Sequence, residues 1–336
     1  MEGDNMKILL AGGAGFVGHH LEMALTGRGH EVFIADRFAS EALDPHHWNI
    51  DLEDRTSIEA VLNEIRPDCI FHLAAQSSVS RSWQAPDATF KTNLLGTLYL
   101  FQAAANYTPQ CRFVFIGSGE EYGVNCSEQH PFTETSPCNP HNPYAVSKLA
   151  AGQILDLLAI RNKMQYVHLR PFNHYGPFQR EGFVIADFCA QIARAEQGCG
   201  SQTLQVGNLA AKRDFLYIDD VVSAYCILAE TPVYPNQIYN LSTGEIHSIH
   251  EILILLQTMS TVPISIEIDP QKFRPVEVPV LISSGKRMFQ DFGWKPKHSL
   301  KSGLEQTLNW WRGKIQAERA NNKALLIRPD KQPKGI

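Results

Sequence analysis

The chain has no C-x-x-C pair, no long apolar run and no excess of basic charge. Its seven cysteines, Cys69, Cys111, Cys126, Cys138, Cys189, Cys199 and Cys226, are scattered and odd in number. That spacing speaks against a zinc ribbon or a disulfide frame and fits free thiols in a reducing compartment. Thirteen histidines, His46-His47 among them, lack ligand spacing, so no metal is expected. A net charge of −5 argues against nucleic acid or a membrane surface as partner, because both demand surplus Lys and Arg. A local basic pocket for a phosphorylated small molecule stays open. No segment approaches the roughly 20 apolar residues of a membrane span. The opening MEGDNMKILL carries acids where a secretory signal needs a basic start. The expectation is a cytoplasmic protein. There is no internal repeat and no low-complexity tract.

What is present reads as an ordinary globular chain. Hydrophobic residues make up 44% and charged residues 19% of the 336 positions, which excludes a mainly disordered protein and allows two lobes. KILLA (7–11) is a short apolar run that breaks at Gly12. Phe16, Val17, Leu21 and Leu25 follow at helical spacing as far as Gly27–Gly29, and EVFIA (31–35) is a second strand. Strand, glycine turn, helix and strand make a βαβ unit. The alternation continues with a helix at 56–65, strands at 69–75 and 112–117, helices at 88–107 and 144–160, and a strand at 165–170. Strands interleaved with helices predict an α/β fold with a doubly wound parallel sheet. Beyond Pro171 glycines and prolines thicken, and 182–197, 218–230 and 247–258 read as helices between short strands. The expected division is a dinucleotide-binding domain of residues 1–171 plus about 213–243, a smaller α/β substrate lobe of about 172–212 plus 244–316, and a peripheral tail at 317–336.

The glycine turn supplies the first chemistry. Gly12 to Gly18 contains G-x-G-x-x-G at Gly13, Gly15 and Gly18, and G-x-x-G-x-x-G from Gly12. Such glycines let the backbone turn sharply against a pyrophosphate, while the helix opening at Phe16 and Val17 presents free N–H groups to its charge. Asp36 stands at the end of the second strand, where a carboxylate accepts bonds from both ribose hydroxyls of NAD. Arg37 beside it suits the 2′-phosphate of NADP. The cofactor is therefore NAD(H) or NADP(H), with Asp36 leaning toward NAD(H). Asp51 and Leu52, after a short third strand, are placed to meet the adenine edge, or else Asp51 merely opens the next helix.

The second constellation lies further along. Tyr144 and Lys148 stand four apart at the start of a predicted helix and share one face. A tyrosine of ordinary pKa about 10 is a poor acid–base group at neutral pH, and a nearby ammonium favours its phenolate. Ser118 follows the strand ending in Ile116-Gly117, at the carboxyl edge where parallel sheets place ligands. Its hydroxyl can bond a sugar carbonyl or alcohol oxygen.

These residues, with HLAA at 72–75, N-x-x-G-T at 93–97 and NPYAVSK at 142–148, resemble the extended short-chain dehydrogenase/reductase (NAD-dependent epimerase/dehydratase) family over about residues 6–312. The resemblance implies a Rossmann domain, a catalytic set of Ser118, Tyr144 and Lys148, and cofactor contacts from Leu73, Ala74, Ala75, Asn93, Tyr144 and Lys148 as well as the glycine turn. It also implies a homodimer joined through the helices at 88–107 and 144–160. RPFNHYGP (170–177), VGNLAAKRDF (206–215) and DPQKFRPVEVP (269–279) are similar to the branch that handles GDP-6-deoxyhexoses. By that likeness the substrate is a GDP-sugar. Asn173, Arg213, Arg274 and Glu277 would contact its nucleotide, two arginines being suited to a diphosphate. The expected reaction is reduction of a 4-keto group. Glu120 stands where related 4,6-dehydratases carry an acid–base glutamate after a Thr, and here Ser118-Gly119-Glu120 puts Ser in that place. Dehydration of GDP-mannose, another nucleotide-sugar epimerisation, or a non-catalytic dinucleotide sensor remain as alternatives. His174 lines the nicotinamide pocket or packs in a loop.

Overall fold

Short apolar runs set the sheet. The computed structural model describes residues 5–37, 44–124, 126–232, 237–273, 276 and 278–326. In chain order the elements are β1 (Lys7–Ala11), α1 (Phe16–Thr26), β2 (Glu31–Asp36), β3 (His47–Asn49), α2 (Arg55–Ile65), β4 (Cys69–His72), α3 (Val79–Gln84), α4 (Pro86–Phe90), α5 (Thr97–Tyr107), β5 (Arg112–Ile116), α6 (Pro143–Asn162), β6 (Gln165–Pro171) and β7 (Asn173–Tyr175). There follow α7 (Val184–Glu196), β8 (Thr203–Val206), β9 (Lys212–Arg213), β10 (Phe215–Tyr217), α8 (Ile218–Glu230), β11 (Gln237–Leu241), β12 (His247–Ser248), α9 (Ile249–Met259), β13 (Ser265–Ile268), β14 (Val280–Leu281), α10 (Lys286–Phe292) and α11 (Leu300–Leu326). A π-helical turn, Lys91–Gly96, joins α4 to α5, and a 3-10 turn, Gly119–Tyr122, follows β5.

The seven-stranded sheet runs β11-β6-β5-β4-β1-β2-β3, and each of its pairings is parallel. This is the doubly wound sheet that the alternation predicts. The strands β1, β4 and β5 are buried almost throughout because helices cover both faces. The order reverses between β1 and β4, so the chain leaves these two strands in opposite lateral directions and opens a crevice at their carboxyl ends. The glycine turn, Leu73–Ala75 and Ser118 all follow strands at this edge.

The helices are closed by local chemistry. Asp54 caps α2 by accepting the Thr56 N–H at 2.9 Å, and Asn142 caps α6 by accepting the Ala145 N–H at 2.8 Å. Pro143 then takes the first position of α6, where its missing N–H costs nothing.

Two compact units emerge. The first comprises Met1–His174, Ala210–Ile249 and Arg274–His298; the second comprises Tyr175–Leu209, His250–Phe273 and Ser299–Ile336. Residues 274–298, expected in the smaller lobe, group instead with the sheet domain. The reason is pairing: β14 runs parallel to β9, and Arg287 donates to the Ile238 carbonyl of β11 at 3.0 Å. In the second unit β8 and β13 pair in parallel. There Glu196 at the end of α7 receives a two-pronged bond from Arg312 of α11, both contacts at 2.7 Å. α11 continues to Leu326, into the stretch read from sequence as a tail.

Candidate active site

Three strand ends build the cradle. Gly12 has φ +87°, and a Cβ there would lie 2.4 Å from the Ala74 nitrogen, so only glycine fits beside the loop after β4. That loop is pulled in by the Ala11 carbonyl, which accepts Leu73 N–H at 2.8 Å and Ala74 N–H at 2.7 Å. A Cβ on Gly18 would strike the Gly13 carbonyl oxygen at 2.2 Å, so the helix packs on its own turn. Gly15 differs, since a Cβ there would meet only the Gly12 oxygen, at 3.4 Å. The fold itself does not demand this glycine. α1 starts from Gly15 with no side-chain cap and no acid in its first turn, so the N–H groups at Phe16 and Val17 face out with positive potential. This donor set fits a dinucleotide diphosphate.

Asp36 ends β2 half-buried, with exposed Arg37 next to it. Asp51 accepts the Glu53 N–H at 2.9 Å and so shapes its own turn. Leu52 turns into the core, where the absent side chain of Gly96 admits it; a Cβ on Gly96 would lie 2.7 Å from that of Leu52. Asn93 is buried in the π turn. Its Oδ1 accepts Gln76 N–H at 2.8 Å, and its Nδ2 donates to the Gln76 carbonyl at 3.1 Å and to Ser147 Oγ at 3.0 Å. Asn93 thus braces the loop after β4 against the helix that carries Tyr144.

Ser118, Tyr144 and Lys148 come together as their spacing suggests. The Ser118 side chain stands next to the Tyr144 phenol and acts on its acidity, and Lys148 Nζ donates to the Ile116 carbonyl at 2.7 Å, 5.1 Å above the Phe115 ring. The expected electrostatics need correction. Burial raises the Tyr144 phenol well above its ordinary value; Ser118 opposes this, and Glu120 and Glu121 add to it. The ammonium does not pull the phenol down, because Lys148 is directed at a backbone carbonyl and burial lowers its own pKa to about 8. His72, at the end of β4, is buried with its Nε2 2.7 Å from Thr97 Oγ1. Burial, then Lys148, lowers it to about 3, so it adds no second cation there.

Glu120 is held by Asn142 Nδ2 at 3.1 Å, so the cap of α6 also positions this carboxylate. His174 stacks on Phe16 at 5.9 Å between centroids, which sets it beside the start of α1, and burial lowers its pKa. Asn173 opens β7. Arg213 is buried in β9 and donates to the Lys212 carbonyl at 2.8 Å. Arg274 and Glu277 lie outside the described residues. Sequence reasoning passed over Asn142 and Glu121. The S-x-x-E spacing of Ser118 and Glu121 is a capping-box pattern that could have found the second. Among the described residues no cluster of His, Cys, Asp or Glu is arranged to hold a metal ion, and no helix is long and apolar enough to cross a membrane.

A glycine cradle at the switch point, with a serine beside a tyrosine and lysine on the adjoining helix, defines a dinucleotide-dependent oxidoreductase of the short-chain dehydrogenase/reductase class. Comparison with known proteins narrows this. The chain belongs to the GDP-mannose 4,6 dehydratase family, whose profile matches residues 9–307. It is 35% identical over 312 residues to a GDP-6-deoxy-D-mannose reductase of Pseudomonas aeruginosa, covering 93% of this chain and 99% of the relative. Among solved structures it resembles RMD from Pseudomonas aeruginosa complexed with NADPH, at TM-score 0.81 and 34% identity over 92% of this chain and 100% of that one. It also resembles the Thermus thermophilus UDP-glucose 4-epimerase complex with NAD, at TM-score 0.82 and 31% identity over 92% and 99% of the two chains.

Proposed function

We propose that this protein reduces the 4-keto group of a GDP-4-keto-6-deoxyhexose, turning GDP-4-keto-6-deoxy-D-mannose into GDP-6-deoxy-D-mannose (GDP-D-rhamnose). The observation that carries the reading is the convergence of Ser118, Tyr144 and Lys148 at the carboxyl end of β5, where Lys148 Nζ donates to the Ile116 carbonyl at 2.7 Å and the Ser118 side chain lowers the phenol against its burial. Reduction needs an acid to protonate the forming alkoxide, and a half-buried tyrosine with a raised pKa holds that proton at neutral pH. Likeness over nearly full length to a GDP-6-deoxy-D-mannose reductase supports the substrate class.

NAD(P)H, when bound, supplies the hydride. Gly12, Gly15, Phe16, Val17 and Gly18 would hold its diphosphate, Asp36 or Arg37 its adenosine ribose, and Lys148 its nicotinamide ribose. Leu73–Ala75 would wall the cleft. Tyr144 donates its phenolic proton to the C4 oxygen, and Ser118 donates a hydrogen bond to the same oxygen as charge develops on it. Asn173, Arg213, Arg274 and Glu277 would bind the nucleotide of the sugar. The seven free thiols suit a cytoplasmic setting, and exposed apolar residues on α6 suit a homodimer.

A second reading, 4,6-dehydration of GDP-mannose, is favoured by Glu120, whose carboxylate Asn142 positions next to Tyr144. Absorbance at 340 nm separates the two. With GDP-4-keto-6-deoxy-D-mannose, a reductase consumes NADH or NADPH stoichiometrically and reveals which it prefers. A dehydratase returns its cofactor unchanged, so a flat trace with both cofactors defeats the reductase reading and directs the test to GDP-mannose.

A further inference from the structure

Glu121 lies in the turn after β5 with its side chain wholly buried. A buried carboxylate needs partners on both oxygens. Oε1 accepts the Ser118 N–H at 2.8 Å and the His168 Nε2–H at 3.2 Å, and Oε2 accepts Arg170 Nε–H at 2.7 Å. Two absent side chains make the room: a Cβ on Gly117 would lie 2.3 Å from Glu121 Oε1, and one on Gly152 would lie 2.3 Å from His168 Cε1. Burial alone would raise the Glu121 carboxyl, but His168, Arg170 and the Ser118 N–H outweigh it and hold its pKa below the ordinary value. It is an anion at neutral pH.

The exit of β5 is thereby fixed at three successive residues, across two peptide groups. Lys148 takes the Ile116 carbonyl at 2.7 Å, the Leu169 carbonyl takes the Gly117 N–H at 2.7 Å, and Glu121 takes the Ser118 N–H. Ser118 Oγ accepts the Glu120 N–H at 3.2 Å, which leaves its own proton for an oxygen in the cleft. Resting on the reductase reading for the chemistry, we infer that Glu121 is a positioning residue for that reaction: its carboxylate fixes Ser118 next to Tyr144 and sets a permanent negative charge opposite Lys148, across the Ile116–Ser118 strand end.

The charge acts on both groups. Burial lowers Lys148, and Glu121 opposes that shift; after burial and Ser118, Glu120 and Glu121 raise Tyr144. The other titratable groups facing this assembly are His72 on β4, toward Lys148, Tyr225 on α8, toward Tyr144, and Asp156 on α6, Tyr166 on β6, Cys138 ahead of α6 and Tyr122 in the turn after β5, toward Glu121 or Arg170. Removing the Glu121 charge lowers both Lys148 and Tyr144, so each loses its proton at a lower pH.

Two substitutions separate charge from reach. Glu121→Gln keeps an oxygen for the Ser118 N–H and removes the charge; Glu121→Asp keeps the charge and withdraws it by one methylene. With Gln, the basic limb of the kcat profile moves down by about half a pH unit or more. The titration of the Lys148 ε-carbon moves with it, followed by NMR in carbon-13 lysine-labelled protein and assigned with Lys148→Arg. With Asp, kcat falls about tenfold and the limb stays in place. Gln leaves Arg170 buried without its counter-ion, so Glu121→Gln with Arg170→Gln is made beside it. Arg170 is not among the charges that shift Lys148, and the double variant should show the same displacement. A folded variant whose Lys148 titrates as in the wild type overturns the inference. The NMR titration needs no substrate. Wild-type protein that leaves NAD(P)H untouched with the 4-keto sugar defeats the reductase reading alone, while the Lys148 titration still decides the part played by Glu121.

Discussion

The Ser118 side chain stands beside the Tyr144 phenol and opposes the rise that burial imposes on it, while Lys148, one turn further along α6, bonds the Ile116 carbonyl. Burial, then Glu120 and Glu121, raise the phenol, and Ser118 opposes them. A raised phenol pKa disfavours the phenolate that an oxidation would use as base and favours the neutral donor that a reduction uses.

Tyr144→Phe should lower kcat for 4-keto reduction by roughly 10²–10⁴-fold, the usual worth of a positioned general acid. Ser118→Ala removes one hydrogen bond to the developing oxyanion and should cost about 10²-fold. Cofactor affinity, read by quenching of protein fluorescence, should stay within about threefold in both, because neither side chain belongs to the diphosphate cradle.

The pH profile follows from Lys148, whose pKa burial lowers to about 8. For an amine the lowered value means that the charged form persists below that pH and is lost above it. Reduction should therefore hold steady through neutral pH and decline as pH rises through about 8. Lys148→Arg carries a charge that does not titrate in this range, so the decline near that pH should vanish whatever activity remains. An unchanged decline in the variant would assign the limb to another group.

Two glycines of the turn should fail in different ways. Gly12→Ala forces a side chain into a positive-φ position and against the Ala74 backbone, and should cost about 1–3 kcal/mol of stability, visible as a lower unfolding midpoint. Gly15→Ala meets only one oxygen at a tolerable 3.4 Å, so the midpoint should hold. NAD(P)H binding should nonetheless weaken about tenfold or more, because the lost space is the cofactor's. Equal binding in Gly15→Ala and the wild type would place the diphosphate elsewhere.

Assembly can be tested on α6. Leu157 is 70% and Ile160 is 62% exposed there, one helical turn apart, which a helix in water has little reason to carry. Light scattering of the wild type should give a dimer, and Leu157→Asp with Ile160→Asp should give a folded monomer. A monomeric wild type would remove the dimer from the account.

The sheet was legible because its central strands are buried on both faces, so KILLA, CIFH and RFVFI advertise themselves as short apolar runs bounded by breaks. Ser118, Tyr144 and Lys148 were legible because two share a helix face and one follows a strand. The Glu121–His168–Arg170 cluster was not, since β6 and the turn after β5 supply its members and only the folded sheet brings those charges together. The continuous helix expected at 88–107 is interrupted by the π turn around Asn93, whose bonds to Gln76 and Ser147 are tertiary. α11 hid behind its charge, although Leu304, Leu308, Trp311 and Ile315 form the buried stripe that its spacing encodes.

Gly117 and Gly152 make room for the charge cluster, and this gives them a history in common with it. A descendant that replaced Glu121 with an aliphatic residue would release both glycines to acquire side chains, and once they had, the ionic arrangement could not be regained by one reversion. A methyl at position 152 would collide with His168, and the disturbance would pass through Glu121 to Ser118. These positions should therefore be inherited or lost as a block, and grafting Glu121 alone into a relative that lacks the two glycines should leave that relative worse than before.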